Sequence, residues 1–140
     1  MSQLKELLNI VKEDDFYFVT EKNDTTIGLK EKYKVRFLKQ QNRKSYSFIP
    51  VFFHNIFLSI KFFLIERPDL IISTGAGASI PTFILGKIFK SKLIFIESIA
   101  KVDTPTITGR IVYLFADSFY IQSKKLVKYY PKGKFEGTIY

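Results

Sequence analysis

The sequence predicts an α/β fold in a single domain, residues 1–140, built on a doubly wound parallel sheet with helices on both faces. Three observations predict it. The stretches "DLIIS" (69–73), "KLIFIE" (92–97) and "SFYIQ" (118–122) are short runs of β-branched and aromatic residues without polar alternation, the pattern of strands covered on both faces. The segments "SIPTFILGKIF" (79–89) and "TITGRIVYLF" (106–115) separate those runs, and each is long enough for a crossover helix. The glycine-broken "STGAGAS" (73–79) joins the first of these strands to the first of these helices, where an open α/β sheet places its ligand crevice.

Upstream, Leu4, Leu7, Leu8 and Val11 recur at helical spacing and predict an amphipathic helix over 2–13, ending in the acidic "KEDD". "FYFVTE" (16–21) reads as a strand, "KNDTTIG" (22–28) as a loop and "YKVRFLK" (33–39) as a second strand. After the basic loop "QQNRKS" (40–45), a phenylalanine-rich helix over 51–66 is closed by Arg67-Pro68. A doubly wound domain opens on a buried strand whose C-terminal turn starts the first helix, whereas this chain opens on the helix. The expected sheet therefore lacks its first strand.

A hydrophobic content of 46% in 140 residues supports a real core. The 22 Lys and Arg outnumber 13 Asp and Glu, and the resulting charge of +9 favours anionic partners: nucleic acid, phospholipid headgroups or phosphorylated substrates. Without cysteine, disulfides, thiolate catalysis and cysteine zinc sites are excluded, and a lone His54 leaves little for a histidine metal site; no metal and no cofactor are expected. The opening "MSQLKELLNIVKEDD" has acidic residues and no long apolar stretch, so it does not read as a signal peptide. "FIPVFFHNIFLSIKFFLI" (48–65) is at the lower edge of a spanning helix and holds His54, Asn55 and Lys61, which makes it buried or interfacial.

In the glycine turn, Gly75 and Gly77 allow close backbone approach to a phosphate. Thr74 and Ser79 offer hydroxyls, with Ser79 expected as N-cap and Pro81 in the first helical turn. A dinucleotide fingerprint fails at Ile80 and a Walker loop fails at Pro81. On local pattern alone two readings stand, a ligand cradle and a plain tight corner. Glu97 and Ser98 follow the 92–97 strand and face the same crevice, where the carboxylate either holds a sugar hydroxyl or acts as a base, or else caps the next loop with its charge in water. His54 reads as packed or surface-lying, Asp103 as a turn residue, and the phenylalanines as core, since no RNA-binding aromatic motif is present.

Taken together and in order, "PDLIISTGAG", "GK" (86–87), "FIES" (95–98), "PTITGR" (105–110), "FAD" (115–117), "IQS" (121–123) and "YYP" before a closing glycine carry a family resemblance. The chain resembles the acceptor-side subunit of the split UDP-N-acetylglucosamine transferase of lipid-linked oligosaccharide assembly, and more closely that subunit's bacterial capsule and exopolysaccharide homologues. The resemblance implies a Rossmann-like domain, the N-terminal half of a GT-B glycosyltransferase. A separate UDP-sugar-binding partner would complete the enzyme, and the acceptor would be a polyprenyl-diphosphate-linked sugar. Thr74, Gly75, Ala76, Gly77, Ser79, Glu97 and Ser98 would then line the acceptor or interdomain cleft, and "GKFEGTIY" would help to dock the partner. Phe52, Phe53, Phe57 and Lys61 would face the membrane, placing the protein peripherally on its cytoplasmic side. The family opens on a strand and a Gly-Gly-His turn that this chain lacks, so an N-terminal truncation is expected and no catalytic residue is assigned. The rival readings are a regulatory or remnant binding module and, with less support, a nucleic-acid-binding domain.

Overall fold

The computed structural model describes residues 6–8, 15–42, 44–75 and 77–138. Glu6 and Leu8 are helical; the remainder of the helix expected over 2–13 lies outside the described residues. Strand β1 (Phe18–Glu21) pairs in parallel with β2 (Val35–Leu38), Phe18 opposite Val35 and Glu21 opposite Leu38. A second parallel sheet runs β3 (Leu70–Ser73), β4 (Lys92–Ile96), β5 (Ser118–Ile121) and β6 (Lys134–Phe135) in that order. The predicted strands thus form within one or two residues of expectation. β6 was not foreseen, since two residues of "GKFEG" carry no readable period.

The stretch read as a loop at 22–28 contains a one-turn helix, α1 (Asp24–Ile27). Asn23 Oδ1 accepts the amides of Thr25 and Thr26 at 3.1 Å each, and the Asn23 amide donates back to the Thr26 hydroxyl at 3.0 Å. Threonine here does the work that Glu or Gln does in the usual capping box, which hides the motif among loop-forming residues. The phenylalanine-rich helix α2 (Phe48–Glu66) begins three residues earlier than expected. Pro50 sits in its first turn, where the missing N–H has no intrahelical partner to lose. Arg67, left-handed at φ 42°, ends it ahead of Pro68.

Helices α3 (Ile80–Ile88) and α4 (Ile107–Val112) are the expected crossovers, and α2 packs beside α3 and α3 beside α4. Gly86 lets α3 lie close on the sheet: a Cβ there would come within 2.6 Å of Ile71 and 2.7 Å of Leu93. The core beneath is Phe63, Phe83, Leu93, Phe95, Phe119 and Tyr130, with Phe95 and Phe119 stacked at 5.1 Å. Each fully buried side chain of this size contributes about 1.5–3 kcal/mol of burial.

The two sheets run in one direction. Glu66, at the end of α2 and just ahead of β3, bonds Lys34 and Arg36 at the start of β2, at 2.7 and 2.5 Å. Asn55, farther up α2, clamps the backbone of Lys39 beyond the end of β2 with two 2.8 Å bonds. α2 therefore runs antiparallel to both β2 and β3, as a crossover between parallel strands must. Right-handed crossovers then put α2, α3 and α4 on one face of the assembly and the β1-to-β2 connection on the other.

Candidate functional site

Two turns meet at the C-terminal ends of β3 and β4. In the first, Gly75 has φ 98°, a backbone region costly for any residue with a side chain. A Cβ on Gly75 would lie 3.5 Å from that of Ser98, so the glycine turn and the turn after β4 lie side by side. Ser73 donates to the Ser79 hydroxyl at 3.0 Å, closing the glycine turn across its base. Ser79 occupies the N-cap position of α3 without making a side-chain cap bond, a departure from expectation. The physical reason is the turn of 3₁₀ helix over Gly77–Ser79, which leads into α3 and holds Ser79 in a helical conformation. Thr74, Gly75, Gly77 and Ser79 line a cavity of about 1030 Å³ that extends between β1 and β3; Ala76 lies outside the described residues.

Glu97 is placed differently. It has no exposed surface, and its carboxyl oxygens accept from Ser98 N–H at 2.9 Å, Thr106 N–H at 3.2 Å, the Thr106 hydroxyl at 2.9 Å and the Tyr130 hydroxyl at 2.8 Å. Its carbonyl accepts from Gln122 Nε2 at 2.8 Å, and its amide donates to Tyr120 O at 2.8 Å. Four side-chain-directed donors leave it no face toward a solute: the carboxyl group ties the β4-to-α4 connection to Tyr130, and the Glu97 carbonyl adds Gln122 just after β5. Thr106 also caps α4, accepting Gly109 N–H at 2.8 Å. Gly109 is obligatory, since a Cβ there would collide with the Glu97 carboxyl and the Tyr130 hydroxyl. Burial first, then the bond to Glu97, raises the Tyr130 phenol above its ordinary value and keeps it a donor.

Of the seven residues expected at the cleft, four line the cavity, Ser98 sits against Gly75 beside them, and Glu97 is sealed beneath. Sequence reasoning missed Thr106, Gly109 and Tyr130 as partners of Glu97. Their signal was present in "FIES", "PTITGR" and "YYP", but nothing in a linear pattern says that these three meet.

The face expected toward the membrane divides by residue. Phe53 and Phe57 are 64% and 66% exposed, and with Ile49, Ile60 and Leu64 they form one stripe along α2, while Lys61 is exposed beside it. Phe52 is half-buried, packed between the rings of Phe48 and Phe53. The neighbouring helices extend the apolar face: Ile84 and Ile88 on α3, Ile107 and Ile111 on α4, and Leu114 just beyond it are all exposed. By length and composition α2 is long enough to cross a membrane. His54 is exposed, and Asp103 pairs at 2.8 Å with Lys125 on the surface. Among the described residues no cluster of His, Cys, Asp or Glu could hold a metal ion.

The family model described as "Oligosaccharide biosynthesis protein Alg14 like" matches residues 5–139. The human "UDP-N-acetylglucosamine transferase subunit ALG14" is 32% identical over 92 residues, 61% of this chain and 43% of the human protein. The protein of the same name from rat is 30% identical over 125 residues, 84% of this chain and 58% of its own length. The Saccharomyces cerevisiae subunit is 29% identical over 89 residues, 57% of this chain and 38% of its own. The chain thus spans about half the length of the curated relatives it matches.

Proposed function

This chain belongs to the Alg14-like family of oligosaccharide biosynthesis proteins, and from that premise we propose that it is the non-catalytic, acceptor-side subunit of a two-component UDP-sugar-dependent glycosyltransferase. It holds a separate UDP-sugar-binding subunit at the membrane surface and contributes one wall of the cleft in which sugar passes to a polyprenyl-diphosphate-linked acceptor. The observation that carries this reading is the apolar face that α2, α3 and α4 leave exposed among the described residues. A protein with a charge of +9 that turns Phe53, Phe57, Ile88, Ile107 and Leu114 outward is suited to an anionic bilayer surface. Lys87, Lys90 and Lys92 cluster next to Ile88 and Phe89, supplying cations at the edge of that face.

The paired turns at Gly75 and Ser98 form the wall offered to the acceptor. Glu97 acts from beneath as a positioning residue, fixing the turn that carries Ser98. In this reading the complex is of the GT-B type, works on the cytoplasmic face of the membrane and serves assembly of a surface polysaccharide such as a capsule or exopolysaccharide. The test is reconstitution. The chain, its UDP-sugar-binding partner and a polyprenyl-diphosphate sugar in vesicles should yield transfer that either protein alone does not, and Gly75→Val should remove it. Full transfer by the partner alone, or transfer undiminished by Gly75→Val, would refute the assignment. Partner binding with no change in transfer rate would favour a purely regulatory module instead.

A further inference from the structure

The C-terminal end of α3 gathers three lysines in a stretch of chain without acidic residues. Residues 70–96 contain Lys87, Lys90 and Lys92 as their only charged side chains. These three, with Ser91 and Asp117, line an open recess of about 500 Å³. Clefts that hold small ligands measure ~300–1,000 Å³.

The backbone beneath the lysines is fixed. Lys90 stands in the left-handed region at φ 62° and turns the chain back, which brings Lys87 and Lys92 to one place. The amides of Phe89, Lys90 and Ser91 donate to the carbonyls of Leu85, Lys87 and Gly86 at 2.9, 3.3 and 2.8 Å, and the Ser91 hydroxyl ties the turn to the Pro68 carbonyl at 2.6 Å. Those bonds occupy carbonyls at the negative end of α3 that would otherwise repel an anion.

Positive charge is left over in the recess. Asp117 is the one carboxylate among the lining residues; its Oδ2 accepts Leu93 N–H at 2.8 Å and its Oδ1 meets Lys87 at 3.5 Å. Among the described residues Lys90 and Lys92 form no ion pair. The flanking side chains are apolar and turned outward: Ile88 and Phe89 beside the lysines, Leu64 and Ile65 at the end of α2. The Phe89 ring lies 5.2 Å from that of Phe63, which joins the recess to the α2 face. A soluble anion would engage the lysines alone, whereas a phosphate carried on acyl chains also gives Ile88 and Phe89 a partner.

We infer that this recess is a headgroup site for an anionic phospholipid of the bilayer. The ammonium groups of Lys87, Lys90 and Lys92 take the lipid phosphate, and Ile88 and Phe89 enter the acyl boundary beside it. Resting on the reading that the α2–α4 face docks on a membrane, the site turns a diffuse attraction into recognition of one headgroup. The nine residues of α3 set the recess about 13 Å along the helix from the glycine turn, at the opposite end of the sheet. The lipid held there is therefore a docking lipid, separate from an acceptor at Gly75 and Ser98.

Vesicle flotation of the 140-residue chain tests the site, with vesicles of phosphatidylcholine alone and with about 30% phosphatidylglycerol added. The triple variant Lys87→Gln, Lys90→Gln, Lys92→Gln should bind the anionic vesicles at least about thirtyfold more weakly than the wild type and the neutral vesicles equally. The triple variant Lys22→Gln, Lys30→Gln, Lys32→Gln removes the same charge from exposed positions of the β1-to-β2 connection, on the opposite face, and should change binding by less than about threefold. Both variants alter exposed side chains and should keep the wild-type Tm. Equal weakening in the two variants would show that net charge alone draws the protein down and would overturn the site, as would undiminished binding by the first. Release of the wild type by about 1 mM inorganic phosphate, where chloride at the same ionic strength releases none, would assign the recess to a soluble anion and overturn the lipid. A wild type that binds neither vesicle would overturn the site and the membrane reading together, whereas the other contrary results leave that reading in place.

Discussion

The β4–β5 half of the molecule and the cavity between β1 and β3 surround polar groups in opposite ways. At Glu97 a fully buried carboxyl group accepts four hydrogen bonds from donors in two connections, that between β4 and α4 and that carrying Tyr130, and Gly109 leaves room for it. Between β1 and β3, the facing edges of two strands border a cavity that no described strand occupies. The first arrangement is complete in itself and fixes a loop in one position; the second borders open space among the described residues. A buried polar group costs little only when its partners are supplied, so the same chemistry yields a rigid support in one place and an open strand edge in the other.

Removing the centre of the closed region should have the largest effect. Glu97→Ala leaves the Tyr130 and Thr106 hydroxyls and two amides without their acceptor and opens a cavity, at a cost of at least about 3 kcal/mol. Thermal unfolding followed by circular dichroism should show a much lowered or lost cooperative transition; a wild-type midpoint would mean that the knot carries no stability. Tyr130→Phe removes a single donor to the same carboxyl group and should cost about 2 kcal/mol in denaturant titration. Asn55→Leu, which releases the end of β2 from α2, should cost about 1 kcal/mol, because the Lys39 backbone can turn to water.

The ion pairs at the start of β2 are weaker and are read best through pH. Hydrogen bonds from Lys34 first, then Arg36, hold the Glu66 carboxyl below its ordinary 4.5, while burial and then the charge of Glu66 push the neighbouring Tyr17 phenol up to about 12. A depressed folded-state pKa means that Glu66 stabilises fully above about 4.5 and loses that contribution as pH falls through the folded value. Glu66→Gln should therefore cost about 1 kcal/mol or less at pH 7. Its stability should converge with that of the wild type on acidification below pH 4.5. A difference between the two that stayed constant from pH 7 to pH 3 would contradict the pairing.

The contrast between the two regions also marks how much the sequence discloses. The strands at 69–73, 92–97 and 118–122 were legible because each carries an unbroken run of β-branched and aromatic residues. The Asn23–Thr26 cap was not, since its residues are those of any polar loop. The knot was hidden for a different reason: Glu97, Thr106, Gly109 and Tyr130 lie up to 33 residues apart, and only the parallel fold brings them together. Glu97 was read either as facing the crevice, because it follows a strand, or as capping the next loop with its charge in water. The exchange of bonds with Thr106 and Tyr130 turns it inward instead.

The central claim, that this chain carries its partner to a membrane through the α2 face, is tested most directly by vesicle flotation. Purified UDP-sugar-binding partner should float with anionic vesicles in the presence of this chain and remain in solution without it. The double variant Phe53→Ser, Phe57→Ser, whose side chains are already exposed, should keep the wild-type Tm and abolish flotation of both proteins. A double variant that floats together with its partner as the wild type does would contradict the account.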